Sequence, residues 1–272
     1  MSRCLGLVFC LILILPLQAR EHWVYSETHP YICGYRFKKL CRTLLDEYGL
    51  RLNPQGQTGY YYVKTEHVPL FFSQFLPEEN FVLITHNDDR GIDESYLPFL
   101  ETENLVSWYA LNIKMEHPKL HALPIGICNF AKFDSFEEVV KSKTAKSKMV
   151  YANYKIANNV AERTRCRELT GVPLAKNKPF KEYLKDIAKS YFVLSPEGNG
   201  IDCYRTWEAL YLKAIPIVTK STHMERFKGM PILIIDSWED YKNLKLSKEL
   251  YERLWQEFDM TKVPLDSFID EN

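Results

Sequence analysis

Short apolar runs recur along the chain, and each is bounded by polar or turn-forming residues. Such runs are typical of strands that are buried on both faces of a parallel sheet. They lie at 81–85, 105–111, 120–127, 148–154, 191–195, 215–219 and 231–236. Segments with helical character lie between several of them, at 135–142, 159–171, 180–190 and 202–213. This alternation predicts an α/β fold with parallel sheets.

A lysine-rich segment, KSKTAKSK at 141–148, interrupts the alternation. Its composition favours a solvated helix end or a linker between lobes over a phosphate-binding patch. We therefore predict an N-terminal lobe over 20–145 and a C-terminal lobe over 146–245, each of ordinary domain size. The remaining segment, 246–272, has apolar residues at 250, 254, 255 and 258, which predict an amphipathic helix that docks on the rest of the protein.

Residues 1–19 have the pattern of a leader, with Arg3 before an apolar run that ends near Pro16. The run is shorter than the roughly 20 residues of a membrane-spanning helix, which favours a signal peptide cleaved after Ala19. Leu17 stands where a small residue is preferred, so a retained membrane anchor over 4–18 remains the alternative. Either form favours export or residence in the lumen of the secretory pathway, such as the Golgi; for a bacterial protein the alternative is an anchor with the rest of the chain on the cytoplasmic side.

Lys and Arg together number 35, as do Asp and Glu, so the formal net charge is zero. Because nucleic-acid-binding proteins usually carry a basic excess, we expect no nucleic-acid partner. No CxxC pair occurs, which argues against a zinc site and a dense disulfide framework. Free, buried thiols are the favoured interpretation, and a disulfide is the alternative, with Cys33 and Cys41 as the nearest pair. The cysteines after the leader are Cys33, Cys41, Cys128, Cys166 and Cys203.

The segment SPEGNGIDCYRTWEALYLKAIPIV at 195–218 joins one predicted strand to a helix and then to the next strand. Pro196, Gly198 and Gly200 end the first strand, because they interrupt its hydrogen bonds and favour turns. Asp202 is a good N-cap, so we expect it to begin the helix. Ligands of α/β proteins bind at the carboxyl edge of the sheet, and a helix amino terminus with glycines suits an anion.

Arg205 and Glu208 give this segment its candidate chemistry. Arg205 lies in the first turn of the predicted helix, where a bound phosphate would offset the unfavourable dipole and accept its forked donors. Glu208, between Trp207 and Ala209, needs hydrogen-bond donors, which ribose hydroxyls would supply. Together these residues suit a nucleoside diphosphate. The alternative for Arg205 and Glu208 is an ion pair on the helix surface at i,i+3 spacing, and the alternative for the glycines is a turn that binds no ligand.

The stretch 192–218 resembles the donor-binding motif of exostosin-like glycosyltransferases. That motif has a strand, Ser-Pro-Arg-Gly-x-Gly, an Asp, an Arg-x-x-Glu-Ala-Leu helix and an apolar strand containing proline. The matching positions are Ser195, Pro196, Gly198, Gly200, Asp202, Arg205, Glu208 and Pro216. The stretch 86–127 resembles the N-terminal lobe of the same group, with an Asn-x-Asp loop and a WYAxN-like strand, WYALN at 108–112. Two positions depart from the pattern: Glu197 replaces an arginine and Lys213 replaces a glycine.

The resemblance implies the GT-B arrangement, in which two Rossmann-like lobes face each other across a cleft and the C-terminal lobe holds a nucleotide-sugar donor. The acceptor would be a glycan or glycoprotein, with no cofactor and no metal; the sequence also lacks an Asp-x-Asp pair. Either Arg163 or Arg165 would support the diphosphate, since residues two apart on a helix cannot share one face. The other expected donor-binding residues are Ser195, Gly198, Asn199, Gly200, Asp202, Arg205 and Glu208.

The acceptor hydroxyl needs a general base if the reaction inverts the anomeric centre. The sequence HNDD directly after the predicted strand 81–85 offers His86 and Asp89 as catalytic candidates, and Asp89 matches the loop aspartate of the family best. Asn87 and Asp88 have turn capping as their alternative role. His117 and His121 are expected to be loop or packing residues.

Two other functions stay open from the sequence. A nucleotide- or carbohydrate-binding protein that has lost catalysis is favoured by Glu197. A nicotinamide-dependent oxidoreductase is disfavoured, because GNG at 198–200 lacks the third glycine of the fingerprint and Asp236 lies too far downstream.

Overall fold

The structure is a computed structural model that describes residues 30–127, 133–256, 258–260, 263 and 265–269. The predicted leader at 1–19 and Cys128 lie outside these residues. Within the described ranges, no helix is long and apolar enough to cross a membrane.

The N-terminal half of the chain forms a six-stranded sheet with the order β2-β1-β3-β4-β5-β6. All neighbouring strands are parallel except β1 and β2, which form an antiparallel hairpin. The strands are β1 Cys41–Asp46, β2 Gly49–Leu52, β3 Gln57–Val63, β4 Phe81–Thr85, β5 Leu105–Ala110 and β6 Leu120–Ala122. The helices of this half are α1 Gly34–Leu40, α2 Val68–Gln74 and α3 Leu97–Leu100.

The C-terminal half forms a parallel four-stranded sheet with the order β10-β9-β8-β7. Its strands are β7 Lys148–Ala152, β8 Ser190–Leu194, β9 Ile215–Thr219 and β10 Leu233–Ile235. The helices are α4 Phe133–Lys141, α5 Val160–Thr170, α6 Phe180–Ala188, α7 Tyr204–Tyr211, α8 Thr222–Glu225 and α9 Lys248–Trp255. The protein is thus a mixed α/β protein with largely parallel sheets, as predicted. The change of sheet falls between Ala122 and Lys148, and the lobe boundary after residue 145 stays a prediction.

Each of the seven strands predicted from apolar runs is present, although the run 120–127 is a strand only over its first three residues. The strand stops before Pro124, which has no N–H for the ladder, and Gly126 adopts a left-handed φ of 70°. The four predicted helices are also present. The last predicted helix ends at Trp255, and its Tyr251 packs edge-on against Tyr191 beside β8. The prediction that this helix docks on the protein is therefore confirmed.

One apolar cluster runs across both sheets. The ring of Tyr31 packs edge-on against Tyr211 of α7, with ring centroids 5.0 Å apart. The hydroxyl of Tyr211 accepts a hydrogen bond from the Ile32 N–H at 2.9 Å. Residues near the start of the described chain are therefore anchored on the C-terminal half.

The cysteines Cys33, Cys41, Cys166 and Cys203 are free thiols. The alternative of a Cys33–Cys41 disulfide is wrong, because these residues flank the two ends of α1. At a rise of 1.5 Å per residue their Cα atoms lie about 12 Å apart, beyond the reach of a disulfide. Burial raises the pKa of the Cys41 thiol, which keeps it protonated.

Candidate functional site

A cleft of about 610 Å³ opens where the two sheets meet, at the amino end of α7. The N-terminal half contributes Asp89, Ile125 and Ile127 to its wall. The C-terminal half contributes residues of the connection 196–203 between β8 and α7, hereafter called the donor loop after the role expected from the sequence, and several side chains of neighbouring helices. The volume is in the range of small-molecule sites.

The local sequence explains how the donor loop reaches the cleft. β8 ends at Leu194, just before Pro196, and a turn follows in which the Gly198 N–H donates to the Gly200 carbonyl at 2.9 Å. Both glycines are pressed against side chains. A Cβ on Gly198 would lie 2.6 Å from an Arg163 nitrogen, and one on Gly200 would lie 2.5 Å from Asn112 Nδ2. Larger residues at these positions would push the loop away from its supports.

The structure brings most of the predicted donor-binding residues to this cleft. The cleft is lined by Arg163, Gly198, Asn199, Gly200, Asp202, Arg205 and Glu208. Ser195 lies beneath the loop instead, where its hydroxyl is hydrogen-bonded to that of Thr206 at 2.9 Å. Ser195 therefore supports the loop from below.

Glu208 projects from α7 into the buried part of the cleft. Its Oε2 accepts a hydrogen bond from the Tyr183 hydroxyl at 2.7 Å. Burial raises the pKa of Glu208 to about 7, while the Tyr183 hydrogen bond and the charge of Arg205 oppose the rise. The sequence did not indicate Tyr183, because a tyrosine in the apolar stripe of α6 is expected to be a packing residue.

Arg205 and Arg163 lie side by side, and both guanidinium groups lie over the ring of Tyr154, at 5.4 and 5.9 Å. Arg205 donates to the carbonyls of Asn153 and Pro196 at 3.1 and 3.0 Å, and its buried Nε has no partner. Arg163 donates to the carbonyls of Lys155 and Glu197 at 2.7 and 2.8 Å. In the described part of the chain neither arginine forms an ion pair.

These two buried cations form no ion pair with the described residues, although the charge of Arg205 acts on the nearby Glu208 carboxyl. Burial and the neighbouring Arg205 lower the pKa of Arg163. An anion bound in the cleft would relieve this repulsion. Arg165 projects from the opposite face of α5, where it pairs with Glu239 at the surface. Of the two arginines left open by the sequence, Arg163 is the one at the cleft.

The expectation that Asp202 caps α7 is wrong, since the N-cap residue is Cys203. The Asp202 carboxylate is buried and accepts from the N–H of Ile125, the indole of Trp207 and the N–H of Cys203, at 2.8, 2.7 and 2.8 Å. Its backbone N–H donates to Asn112 Oδ1 at 3.0 Å. Asp202 therefore ties the donor loop to the N-terminal half.

The two catalytic candidates occupy different surroundings. Asp89 lines the cleft and also an adjoining pocket of about 410 Å³, and its Oδ2 accepts from Asn199 Nδ2 at 3.0 Å across the halves. His86 is fully buried and lines neither space. Its Nε2 must donate to the Pro124 carbonyl at 3.0 Å, while Nδ1 accepts from the Asn87 N–H at 2.8 Å. Burial lowers the pKa of His86, so the ring is neutral and both nitrogens are engaged.

The remaining candidates lie away from the cleft. Asp88 accepts from the N–H groups of Arg90 and Glu66 at 3.0 and 3.2 Å, which is the turn-capping role left open by the sequence. His117 bonds to the Lys119 N–H at 3.1 Å, and His121 stacks on Tyr109. Both histidines have the loop and packing surroundings that were expected.

The two departures from the exostosin-like pattern differ in consequence. Burial and the nearby Glu162 raise the pKa of Glu197 to about 7. Lys213 adopts a left-handed φ of 57°, which explains why a glycine suits this position. Its ammonium lies 4.5 Å from the ring of Trp255, so it does not supply a cation to the cleft. Among the described residues, no group of three or more His, Cys, Asp or Glu is placed to hold a metal.

The comparisons with known proteins concern this half of the chain. The family model described as the RXYLT1 C-terminal domain matches residues 141–258, which include the donor loop and the four-stranded sheet. RXYLT1 is a xylosyltransferase related to the exostosin family. A search of curated proteins found no match. The matched segment thus points to a glycosyltransferase-related family. This is consistent with the resemblance of the sequence to exostosin-like glycosyltransferases.

Proposed function

We propose that the protein is a glycosyltransferase that moves a sugar from a nucleoside-diphosphate donor to a hydroxyl of a glycan or glycoprotein. The observation that carries this proposal is the pair of buried guanidinium groups beside Glu208 at an open cleft. This arrangement lies within the segment that matches a glycosyltransferase-related family. In this proposal the two sheets belong to Rossmann-like lobes of the GT-B type, and the donor binds to the C-terminal lobe.

The diphosphate lies against Arg205, Arg163 and the donor loop, where the absence of a side chain at Gly198 allows close approach. The buried Nε of Arg205 has no hydrogen-bond partner among the described residues, so the protein itself leaves part of this guanidinium group unsatisfied. Glu208 accepts hydrogen bonds from the ribose, alongside the one from Tyr183. As the sugar leaves, negative charge grows on the diphosphate, and fixed cations in a site with little water stabilise that charge most effectively.

The acceptor hydroxyl approaches from the adjoining pocket. Asp89 lines both this pocket and the cleft that holds the donor. Asp89 takes the proton of that hydroxyl in an inverting reaction. This role requires hydrogen-bond reach between its carboxylate and the acceptor oxygen. His86 does not contact the reacting groups. Its neutral ring, fixed by two hydrogen bonds, supports the start of the loop that carries Asp89.

In this mechanism the guanidinium groups compensate the charge of the diphosphate, so the reaction needs no metal and no cofactor. Sugar transfer in the presence of excess EDTA is expected to match transfer in its absence. We further propose that the protein is exported or held in the secretory pathway by the predicted leader, either cleaved after Ala19 or retained as an anchor over 4–18. Sequencing of the mature amino terminus distinguishes these two forms.

A second candidate function is a nucleotide-binding protein of the same fold without catalysis. The observation that favours it is Glu197, a half-buried carboxyl in the donor loop at the position where the exostosin-like motif has an arginine. Such a protein would bind nucleoside diphosphates through Arg205 and Glu208 but would not cleave the sugar.

One experiment tests both candidates. The protein is incubated with a panel of uridine and guanosine diphosphate sugars, and the released nucleoside diphosphate is measured without acceptor and then with a glycan panel. A transferase is expected to hydrolyse its donor slowly in water and to release nucleoside diphosphate faster when a suitable acceptor takes up the sugar. Donor binding without hydrolysis or transfer would support the second candidate. Absence of any donor binding would contradict both.

A further inference from the structure

Asn112 is a buried residue that contacts both sides of the proposed reaction centre. It lies two residues after the end of β5 and ends the WYALN segment, for which the sequence indicated no function. Its side chain is 1% exposed, and its backbone has a left-handed φ of 57°. Asparagine tolerates this conformation better than most residues, and its amide can bond nearby backbone groups.

The two ends of the Asn112 amide face different loops. Oδ1 accepts from the N–H of Asp202 in the donor loop at 3.0 Å. Nδ2 donates to the carbonyl of Asp89 at 3.4 Å. Gly200 packs against the same amide so closely that a Cβ there would lie 2.5 Å from Nδ2. One side chain thus serves as a spacer between the donor loop and the loop of the proposed base.

We propose that Asn112 is a positioning residue that sets the distance between the donor loop and Asp89. This proposal rests on the proposed function, because the distance matters only if the donor and the base react across it. Asn199, which donates to Asp89 Oδ2 at 3.0 Å, is the outer contact between the same loops. Asn199 is exposed, whereas the Asn112 bridge is buried and shielded from competing water. The inner bridge therefore controls the alignment.

The test variant is Asn112→Gly, which removes the bridge while keeping a residue that accepts the left-handed backbone. The matched control is Lys143→Gly, at an exposed residue with φ of 47° that lies away from the cleft. Asn112→Asp is the conservative variant, since it keeps the acceptor for the Asp202 N–H but loses the donor to Asp89.

For Asn112→Gly we expect kcat for transfer to fall by up to about 100-fold, as for a displacement of about 1 Å, with a donor KM within a few-fold of wild type. The ratio of donor hydrolysis to acceptor transfer should rise, because water needs less alignment than a sugar hydroxyl. Asn112→Asp should recover part of the loss, and Lys143→Gly should behave as wild type. Equal losses of donor binding and transfer would contradict a positioning role.

A second measurement does not depend on catalysis. Hydrogen exchange of peptides covering 86–92 and 198–203 should be faster in Asn112→Gly than in wild type and Lys143→Gly. Unchanged exchange in both loops would overturn the proposal even if the enzyme is active. A wild-type protein that binds no nucleoside diphosphate would instead refute the proposed function, while the exchange data would still decide whether Asn112 holds the two loops.

Discussion

Glu208 lies inside the protein near Arg205, yet its protein hydrogen-bond donor is Tyr183 rather than that guanidinium group. A carboxylate in such a position is held at a cost, because burial disfavours its charged form. A carboxyl that is half protonated near neutral pH is poised to respond to a ligand that donates hydrogen bonds to it. At the residue scale, the ionisation of Glu208 is therefore expected to affect both the stability of the protein and its affinity for the donor.

The first prediction concerns stability. Glu208 ionises near 4.5 in the unfolded chain but near 7 in the folded protein, so the folded state holds the proton more tightly. Its contribution to the free energy of unfolding therefore falls as pH rises from about 4.5 to 7, and is constant above that range. Glu208→Gln should gain stability over wild type as pH rises through this window, by at most about 3 kcal/mol. Denaturant unfolding at pH 5 and pH 8 measures this gain; an equal difference at both pH values would contradict it.

The second prediction concerns ligand binding. Ribose hydroxyls donate to ionised Glu208, so the affinity for a nucleoside should increase from pH 6 to pH 8 in the wild type. In Glu208→Gln this increase should be absent, since the amide does not titrate. Titration calorimetry with a nucleoside, which carries no titrating phosphate, measures the effect. A parallel increase in both proteins would remove Glu208 from the ribose site.

At the element scale, α5 presents two arginines to different environments. Arg163 lies in the cleft, and Arg165 pairs with Glu239 at the surface. The helix is capped by Asn159, whose side chain accepts from the Glu162 N–H, and by Gly171 in the left-handed conformation. Arg163 and Cys166 are on its buried face, so the two arginines have different surroundings.

This difference gives the third prediction. Arg163→Ala should weaken binding of a nucleoside diphosphate by about 10- to 100-fold, because a hydrogen bond to a charged group contributes about 1.5–3 kcal/mol. Arg165→Ala, on the same helix, should leave binding unchanged. Calorimetry on the two variants provides the comparison. Similar losses in both would show that net charge rather than placement governs binding.

The sequence predicted strands that form continuous apolar runs and missed strands such as β1 and β3, in which polar residues are mixed with apolar ones. β4 and β9 are apolar runs and were predicted with their observed bounds. β2, in contrast, is largely exposed and carries no pattern that separates it from a loop. Asp202 was assigned to a local cap because N-cap preferences are local. Its actual contact with Ile125 depends on how the two halves of the chain meet, which sequence spacing does not report.

The sequence could indicate residues that line the cleft because the glycines, Arg205 and Glu208 lie close together in one segment. It did not indicate Tyr183 and Asn112, because their contacts with Glu208 and Asp202 join segments that are distant in the sequence. Candidate polar residues that are close in sequence can therefore be identified from the sequence alone. The distant residues that hold them in place can be identified only from the tertiary structure.

At the scale of the whole molecule, the two sheets share one apolar cluster and a set of buried polar links. Asp202 bonds to Ile125, and the N–H of Ile113 donates to His223 Nδ1 at 3.3 Å. Separating the halves would expose apolar surface and leave these buried groups unpaired. The cleft lies at the edge of this interface between the two halves, so its shape depends on both of them.

The fourth prediction follows from the buried contacts between the two halves. The protein should unfold in one cooperative transition, with the same midpoint by far-UV circular dichroism and by tryptophan fluorescence. Trp108 lies in the N-terminal half and Trp238 in the C-terminal half, so fluorescence samples both. Asp202→Ala should lower the midpoint by leaving three donors without their acceptor. Two separate wild-type transitions would show that the halves fold independently.

The central claim is that a nucleoside diphosphate binds at the amino end of α7 with its phosphates against Arg205. Calorimetry of one nucleoside and its diphosphate, on wild type and Arg205→Ala, tests it most directly. We predict that the wild type binds the diphosphate more tightly than the nucleoside and that Arg205→Ala loses most of this difference while retaining the nucleoside affinity. Failure of the wild type to bind the diphosphate, or an equal loss for both ligands in the variant, would contradict the claim.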